Sequence, residues 1–239
     1  MISIIIPTYN EEKCIGDILV KLKRGLTLPH EIIVTDDSST DKTVESARPY
    51  ADTVLVPEKK HATISANRNT GAAAAKGDIL VFMDAGCYVT DPNSFFSKAL
   101  ADLQDRPRTV AVTAMIKILP EYETLGDKIV NFMLNTVIRV KDNVLNMGEA
   151  QGKFQMMRKT DFDRVGGFNE HLVTREDADM FQRLAKLGRT YCDPTLTVYH
   201  SGRRAHALGW PRLLSIWMLE TFWVAVTGKA RAKEWKDIR

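Results

Sequence analysis

Ile2-Ser3-Ile4-Ile5-Ile6-Pro7-Thr8-Tyr9-Asn10-Glu11-Glu12 opens the chain as a run of β-formers that stops at a proline and turns polar and acidic. The same grammar returns twice. Ile32-Ile33-Val34 leads into Thr35-Asp36-Asp37-Ser38-Ser39-Thr40-Asp41, and Asp78-Ile79-Leu80-Val81-Phe82-Met83 leads into Asp84-Ala85-Gly86. Short apolar runs bounded by polar turns predict buried strands of a parallel sheet. Ligands of open α/β sheets bind in the crevice outside the carboxyl ends of the strands. Acidic groups at three strand ends therefore predict a site for sugar hydroxyls, a nucleobase, or a cation with its phosphates.

Working outward, helical spacing is predicted over Glu11–Arg24, with Ile15, Ile18, Leu19 and Leu22 on one face, and over Ser65–Lys76. A helix start is predicted at Ser39–Thr43, a short strand at Thr53–Val56 before a basic loop (Lys59-Lys60-His61), and a helix from Asp91-Pro92-Asn93 to about Leu103. Thr109–Ile118 alternates as a strand. Strands separated by helices predict a βαβ series and a parallel frame. The second half predicts a long helix over Thr124–Leu145, a strand over Gln151–Arg158, a turn of helix over Asp161–Val165, a helix over Glu176–Leu187 and a last strand over Thr195–His200.

At 239 residues, 44% hydrophobic and 26% charged, the chain suits one large soluble domain. Cys14, Cys87 and Cys192 give neither a disulfide framework nor a zinc spacing and predict a reducing compartment. The first apolar run lacks a basic leader and reads as a strand, not a signal peptide. The net charge of +3 is unevenly spread: eight Lys/Arg stand against three Asp/Glu from Arg203 onward, and all four tryptophans lie there. No Gly-x-Gly-x-x-Gly follows the first strand, which argues against a dinucleotide oxidoreductase.

The ordered motifs resemble family 2 glycosyltransferases of the GT-A fold, over residues 2–204. The resemblance is carried by Ser3–Glu12, by Ile32–Thr43, by Arg68-Asn69 with Gly71, Gly77 and Asp78, by Gly152–Glu170 ending in Gly166-Gly167-Phe168-Asn169-Glu170, and by Glu176-Asp177 with Arg183-Leu184. It implies a Rossmann-like, mainly parallel sheet flanked by helices, residues 1–204 forming the domain and 205–239 an amphipathic tail. It also implies a nucleotide-diphosphate-sugar donor, with GDP-mannose the first expectation and UDP-sugars next. Donor contacts are implied for Pro7, Tyr9, Glu11, Asp36, Asp37, Arg68, Asp84, Ala85, Arg203 and Arg204. Asp177, beside Glu176, is implied as the catalytic base of an inverting transfer. Mn2+ or Mg2+ is implied at Asp84, with His200 a further ligand, since such cations take oxygen ligands on a diphosphate. The chain departs from the Asp-x-Asp pattern at Gly86. That departure motivates the alternative of a nucleotide-sugar-binding protein with a degenerate metal motif and little turnover.

Gly202 and Gly209 around Arg203-Arg204 predict a mobile loop closing over a diphosphate. Beyond it, Leu213–Thr227 is apolar but for Glu220, too short to span a bilayer, and followed by Lys229, Arg231, Lys233, Lys236 and Arg239. Tryptophan beside an apolar helix with cationic neighbours predicts a helix lying in a membrane interface. A docked C-terminal helix or an oligomer interface is the alternative. The tryptophans sit in an apolar run, not along a basic groove, so nucleic acid is not expected. The whole resembles polyprenyl- and dolichol-phosphate mannose synthases without a spanning domain. It implies a lipid-linked or glycan acceptor and a cytoplasmic location, peripheral on the cytoplasmic membrane face.

Overall fold

A computed structural model describes residues 1–57 and 63–230. The basic loop at Lys59-Lys60-His61 and the tail's Arg231, Lys233, Trp235, Lys236 and Arg239 lie outside the described residues.

The elements run β1 (Ile2–Thr8), α1 (Ile15–Gly25), β2 (His30–Asp36), α2 (Thr43–Ala47), β3 (Thr53–Leu55), α3 (Ile64–Ala74), β4 (Ile79–Phe82), β5 (Cys87–Tyr88), α4 (Pro92–Asp105), β6 (Thr109–Ile118), α5 (Leu125–Arg139, continued by a π-helical turn Val140–Val144), β7 (Gln155–Arg158), α6 (Lys159–Arg164), α7 (Glu176–Ala185), β8 (Arg189–His200), α8 (Arg203–Leu208) and α9 (Trp210–Thr227). They build one sheet in the order β3-β2-β1-β4-β7-β6-β8-β5. β3, β2, β1 and β4 are parallel, as are β6 and β8, while β7 lies antiparallel between β4 and β6.

Both faces of this sheet are covered, which is why β1 reads as an uninterrupted apolar run. Ile2, Ile4 and Ile6 pack with Ile32, Val34 and Val81 under α1 and α4. Ile5, Ile33, Leu80 and Phe82 face the other way, toward Ala72, Phe162, Phe168 and Phe181. α3 comes so close that a Cβ on Gly71 would lie 2.4 Å from Ile5 Cγ2. The register pairs Thr8 with Asp36 and Ile5 with Phe82, so the acidic loops after β1, β2 and β4 leave the sheet side by side.

Several boundaries differ from the sequence reading. α1 starts at Ile15, because Asn10 takes φ +50 and the Glu11 carbonyl accepts the N–H groups of Cys14 and Ile15 as a turn. β8 is twelve residues long and begins at Arg189; Pro194 sits at an irregularity between Asp193 and Thr197, so the sequence reading found only the stretch from Thr195. The expected loop at Arg203-Arg204 is a short helix, α8, with Gly202 at φ +69 before it and Gly209 at φ +77 behind.

The helix expected from Thr124 is present, with its apolar face turned outward. Asp127, Asn131, Asn135 and Ile138 are buried, whereas Leu125 (74% exposed), Phe132 (72% exposed), Ile129, Met133, Val137 and Val144 face outward. On the buried side, Asn135 donates to the Ile116 carbonyl and accepts the Ile116 N–H. α9 repeats the inversion, with Leu213 and Glu220 buried and Met218, Leu219, Phe222, Trp223 and Val226 outward. Asp127 joins the two helices by accepting from Trp210 Nε1 at 2.6 Å and lying 2.9 Å from His206 Nε2. No helix among the described residues is long and apolar enough to cross a membrane.

Candidate active site

At the carboxyl edge of β1, β2 and β4 the site is built around Arg68, whose guanidinium is 1% exposed. α3 supplies this arginine and packs its plane over the Phe168 ring, 5.1 Å from the centroid. Arg68 Nη1 donates to Asp177 Oδ1 at 2.7 Å and to Glu176 Oε1 at 3.2 Å, and Nη2 donates to Asp84 Oδ1 at 3.1 Å. One buried cation thus ties the loop after β4 to the start of α7, drawing together residues 84, 176 and 177. Burial opposes its charge, but the carboxylates of Asp177, Asp84 and Glu176 hold it protonated.

Three carboxyl groups crowd one guanidinium, and Lys153 adds a second positive charge to the cluster. Its Nζ donates to Asp84 Oδ2 at 3.0 Å. β7 runs antiparallel to β4 with Phe82 opposite Gln155, and two residues further along that register Asp84 faces Lys153. Burial raises the affinity of Asp84 for a proton, yet Lys153 and then Arg68 outweigh it and hold Asp84 below the usual carboxylate range. Glu176 goes the other way: burial, then the charge of Asp177, pushes it up to about 8. Burial also holds Asp177 above its ordinary value.

Gly152 is where β7 approaches this cluster. A Cβ there would lie 2.4 Å from Arg68 Nη2 and 3.0 Å from Asp177 Oδ2. Gln155 Nε2 donates to Asp177 Oδ1, so Oδ1 is held by two donors while Oδ2 takes none among the described residues. Arg175, at φ +67, turns the chain into α7 so that Glu176 and Asp177 head the helix; its side chain is pinned to Glu149 at 3.2 Å. Acidic groups suit that end of a helix dipole.

Of the expected donor contacts, Asp36 is fully buried and its oxygens accept from Thr8 Oγ1 (3.0 Å), Ser39 N (2.8 Å) and Ser39 Oγ (2.5 Å). It shapes the loop, and Asp37 is the half-exposed member of the pair. Tyr9 and Arg204 are half-buried on the same edge, while Pro7 and Ala85 are buried and contribute shape. Glu11 reaches across to Arg203 Nη2 at 3.0 and 3.1 Å, which joins the loop after β1 to α8.

His200 ends β8 opposite Cys87, beside the Asp84 turn, and its Nδ1 accepts the Gly202 N–H at 3.2 Å. Burial and the neighbouring Lys153 push the imidazole down to about 3, so it is neutral. As a cation site this donor set fits poorly. Both oxygens of Asp84 are taken by Arg68 and Lys153, position 86 has no side chain, and among the described residues no three His, Cys, Asp or Glu groups converge as metal ligands. Sequence reasoning missed Lys153, Gly152 and Gln155. The Gly-Lys pair just before a strand was the available signal, but only the β4–β7 register gives it meaning.

Residues 3–166 match the model of the family described as glycosyl transferase family 2, well over half of the chain. The chain belongs to this family. It is 25% identical over 202 residues to the O-antigen chain rhamnosyltransferase WbaN of Salmonella anatum, covering 80% of this chain and 63% of that protein. It is 26% identical over 142 residues to the dolichyl-phosphate beta-glucosyltransferase of Mus musculus, covering 53% of this chain and 44% of that one. The chain therefore spans less than two thirds of the length of these relatives. Among solved structures, the mannosyltransferase PcManGT from Pyrobaculum calidifontis, in complex with GDP-Man and Mn2+, superposes with a TM-score of 0.74 at 21% identity, over 97% of this chain and 66% of that one. The mixed, mainly parallel sheet flanked by helices is thus a GT-A fold, as the motifs implied.

Proposed function

We propose that this chain is an inverting glycosyltransferase that moves a sugar from a nucleotide-diphosphate donor to a hydroxyl of a lipid-linked or glycan acceptor at a membrane surface. The observation that carries this reading is the Arg68 cluster, which holds Asp84, at the donor end of the crevice, and Asp177 on one guanidinium. GDP-mannose is the first donor to test, supported by the GDP-Man bound to PcManGT, and UDP-sugars come next. The base would lie against Tyr9 and Asp37, and the diphosphate beside Asp84 and Arg203-Arg204.

Asp177 serves as the base. Its Oδ1 is anchored by Arg68 and Gln155, which leaves Oδ2 to take the acceptor's proton as the hydroxyl attacks the anomeric carbon. The bond to the β-phosphate breaks on the opposite side, and the nucleoside diphosphate departs. A raised carboxyl suits this work near neutral pH. Glu176, buried behind Arg68 and inclined to keep its proton, positions the guanidinium rather than the acceptor. Mn2+, the ion in the PcManGT complex, or Mg2+ would here have to displace Lys153 from Asp84.

The membrane surface is supported by the outward apolar faces of α5 and α9, two helices joined on their buried side through Asp127. Two helices that bury their polar residues and expose Phe and Leu are in the solvent order of an interface, not of bulk water. A cytoplasmic, peripheral location follows from that reading and from three free cysteines.

The test is nucleoside-diphosphate release from GDP-mannose and UDP-sugars with a membrane lipid extract as acceptor, for the wild type and Asp177→Asn. The wild type should turn over one donor, and Asp177→Asn should bind that donor while losing transfer at least a hundredfold, roughly the weight of a general base. Full transfer by the variant would refute the base assignment and favour an acceptor that is already ionised.

A further inference from the structure

We infer that Lys153, together with Arg203, supplies the positive charge that receives the donor's diphosphate, so that nucleotide binding in this chain needs no divalent cation. The inference rests on the transferase reading above, and it starts from the mismatch between the acidic turn and a metal. A cation shared between protein and diphosphate needs a carboxylate with an oxygen to give, usually one or two such groups. Here Asp84 is the sole carboxylate of the turn, with Oδ1 on Arg68 and Oδ2 on Lys153.

The place of the second acidic residue is also spoken for. Gly86 has no side chain, and a Cβ built on it would look at Arg203 Nη2, 3.6 Å away. An acidic side chain would therefore point at a guanidinium that Glu11 already holds through both carboxylate oxygens. The turn is bracketed by two cations on fixed supports: Lys153 on the strand-end register of β7, and Arg203 at the head of α8. Together they carry the same formal charge as one divalent ion. An ammonium is a compact point charge and a guanidinium a planar fork matched to phosphate oxygens, which is a workable pair for a diphosphate. Lys153 stays partly accessible, with 29% of its side chain exposed, so its remaining hydrogens can be offered to a ligand in the crevice. The chain has moved the charge from solvent to sequence.

The experiment is calorimetric titration of GDP, UDP, CDP and dTDP into the wild type, Lys153→Met and Lys153→Arg, each in EDTA and in MnCl2. The inference expects one nucleotide to bind the wild type with the same affinity, within about twofold, in both solutions. Lys153→Met, which keeps the aliphatic stem, should lose about ten- to a hundredfold in EDTA, the weight of one charge-assisted hydrogen bond. Lys153→Arg should keep most of the affinity, which separates loss of charge from a folding defect. Binding seen only with Mn2+, or a Lys153→Met variant unchanged in EDTA, overturns the inference while leaving the transferase reading intact. Binding of none of the four in either solution overturns both.

Discussion

Replacing Arg68 by Met should destabilise this protein more than any exposed ion pair could, and by an amount that depends on pH. The side chain is buried, makes charge-assisted hydrogen bonds to Asp84, Glu176 and Asp177 at 2.7 to 3.2 Å, and has a methylene stem that Met reproduces. Removing one partner of a buried charge cluster costs about 3–5 kcal/mol, because the orphaned charges stay buried. For a chain of this size each kcal/mol is worth about 2–4 °C, so Tm should fall by about 6–20 °C at pH 8. The sign of the pH dependence follows from proton binding. Glu176 is already pushed up to about 8 and Asp177 is raised, and both rise further without Arg68, while Asp84 loses one of the two cations that hold it down. The folded variant then binds more protons than its unfolded chain above the ordinary carboxylate range, so its stability falls as pH rises. Urea unfolding followed by circular dichroism at pH 8 and pH 5.5 reads both effects. A deficit under about 1 kcal/mol at pH 8, or one that does not shrink at pH 5.5, would refute the cluster as the organiser of the site.

Gly152→Ala should displace Arg68, since the new Cβ would lie 2.4 Å from Nη2, and transfer should drop at least tenfold while Tm falls by only a few degrees; steady-state turnover beside a thermal melt checks this. Asp127→Ala removes an acceptor for Thr124 N, Thr124 Oγ1 and Trp210 Nε1 and the partner of His206, and should cost about 2–4 kcal/mol and expose α8–α9 to limited proteolysis. Burial alone would raise the Asp127 carboxyl, but those donors hold it down to about 2; its contribution is therefore present above the ordinary carboxylate range and lost only as pH falls toward 2, so proteolytic protection of α9 in the wild type should persist at pH 4. Phe132→Ser with Leu125→Ser, at exposed sites, should leave Tm within a degree or two and weaken flotation with acidic-lipid vesicles severalfold; unchanged flotation would remove α5 from the membrane face.

The strand ends were legible because β1, β2 and β4 are covered on both sides, which leaves their apolar runs unbroken until the chain turns acidic. β6 was legible over its full length from its alternation. What could not be read was anything that depends on which way a periodic face points. The apolar stripe of α5 has ordinary helical spacing, yet Asn131, Asn135 and Asp127 are inside, with Asn135 and Asp127 held by hydrogen bonds from Ile116 and Trp210. Asp36 and Asp37 are adjacent in sequence, but the β1–β2 register turns one inward to Thr8 and leaves the other at the edge. Lys153 is the largest omission. The Gly-Lys pair gives it no meaning locally, and it becomes part of the site through antiparallel pairing of two strands some seventy residues apart. Pro194 hid half of β8, since a proline inside a strand pattern argues for an end unless the irregularity beside it is known.

A crystal structure of the protein soaked with the nucleoside diphosphate that binds best would test the central claim most directly. The account predicts the diphosphate within hydrogen-bond reach of Lys153 and Arg203, beside Asp84, with the base against Tyr9 and Asp37 and Asp177 Oδ2 facing the space left for the sugar. A nucleotide bound away from the Arg68 cluster would contradict it.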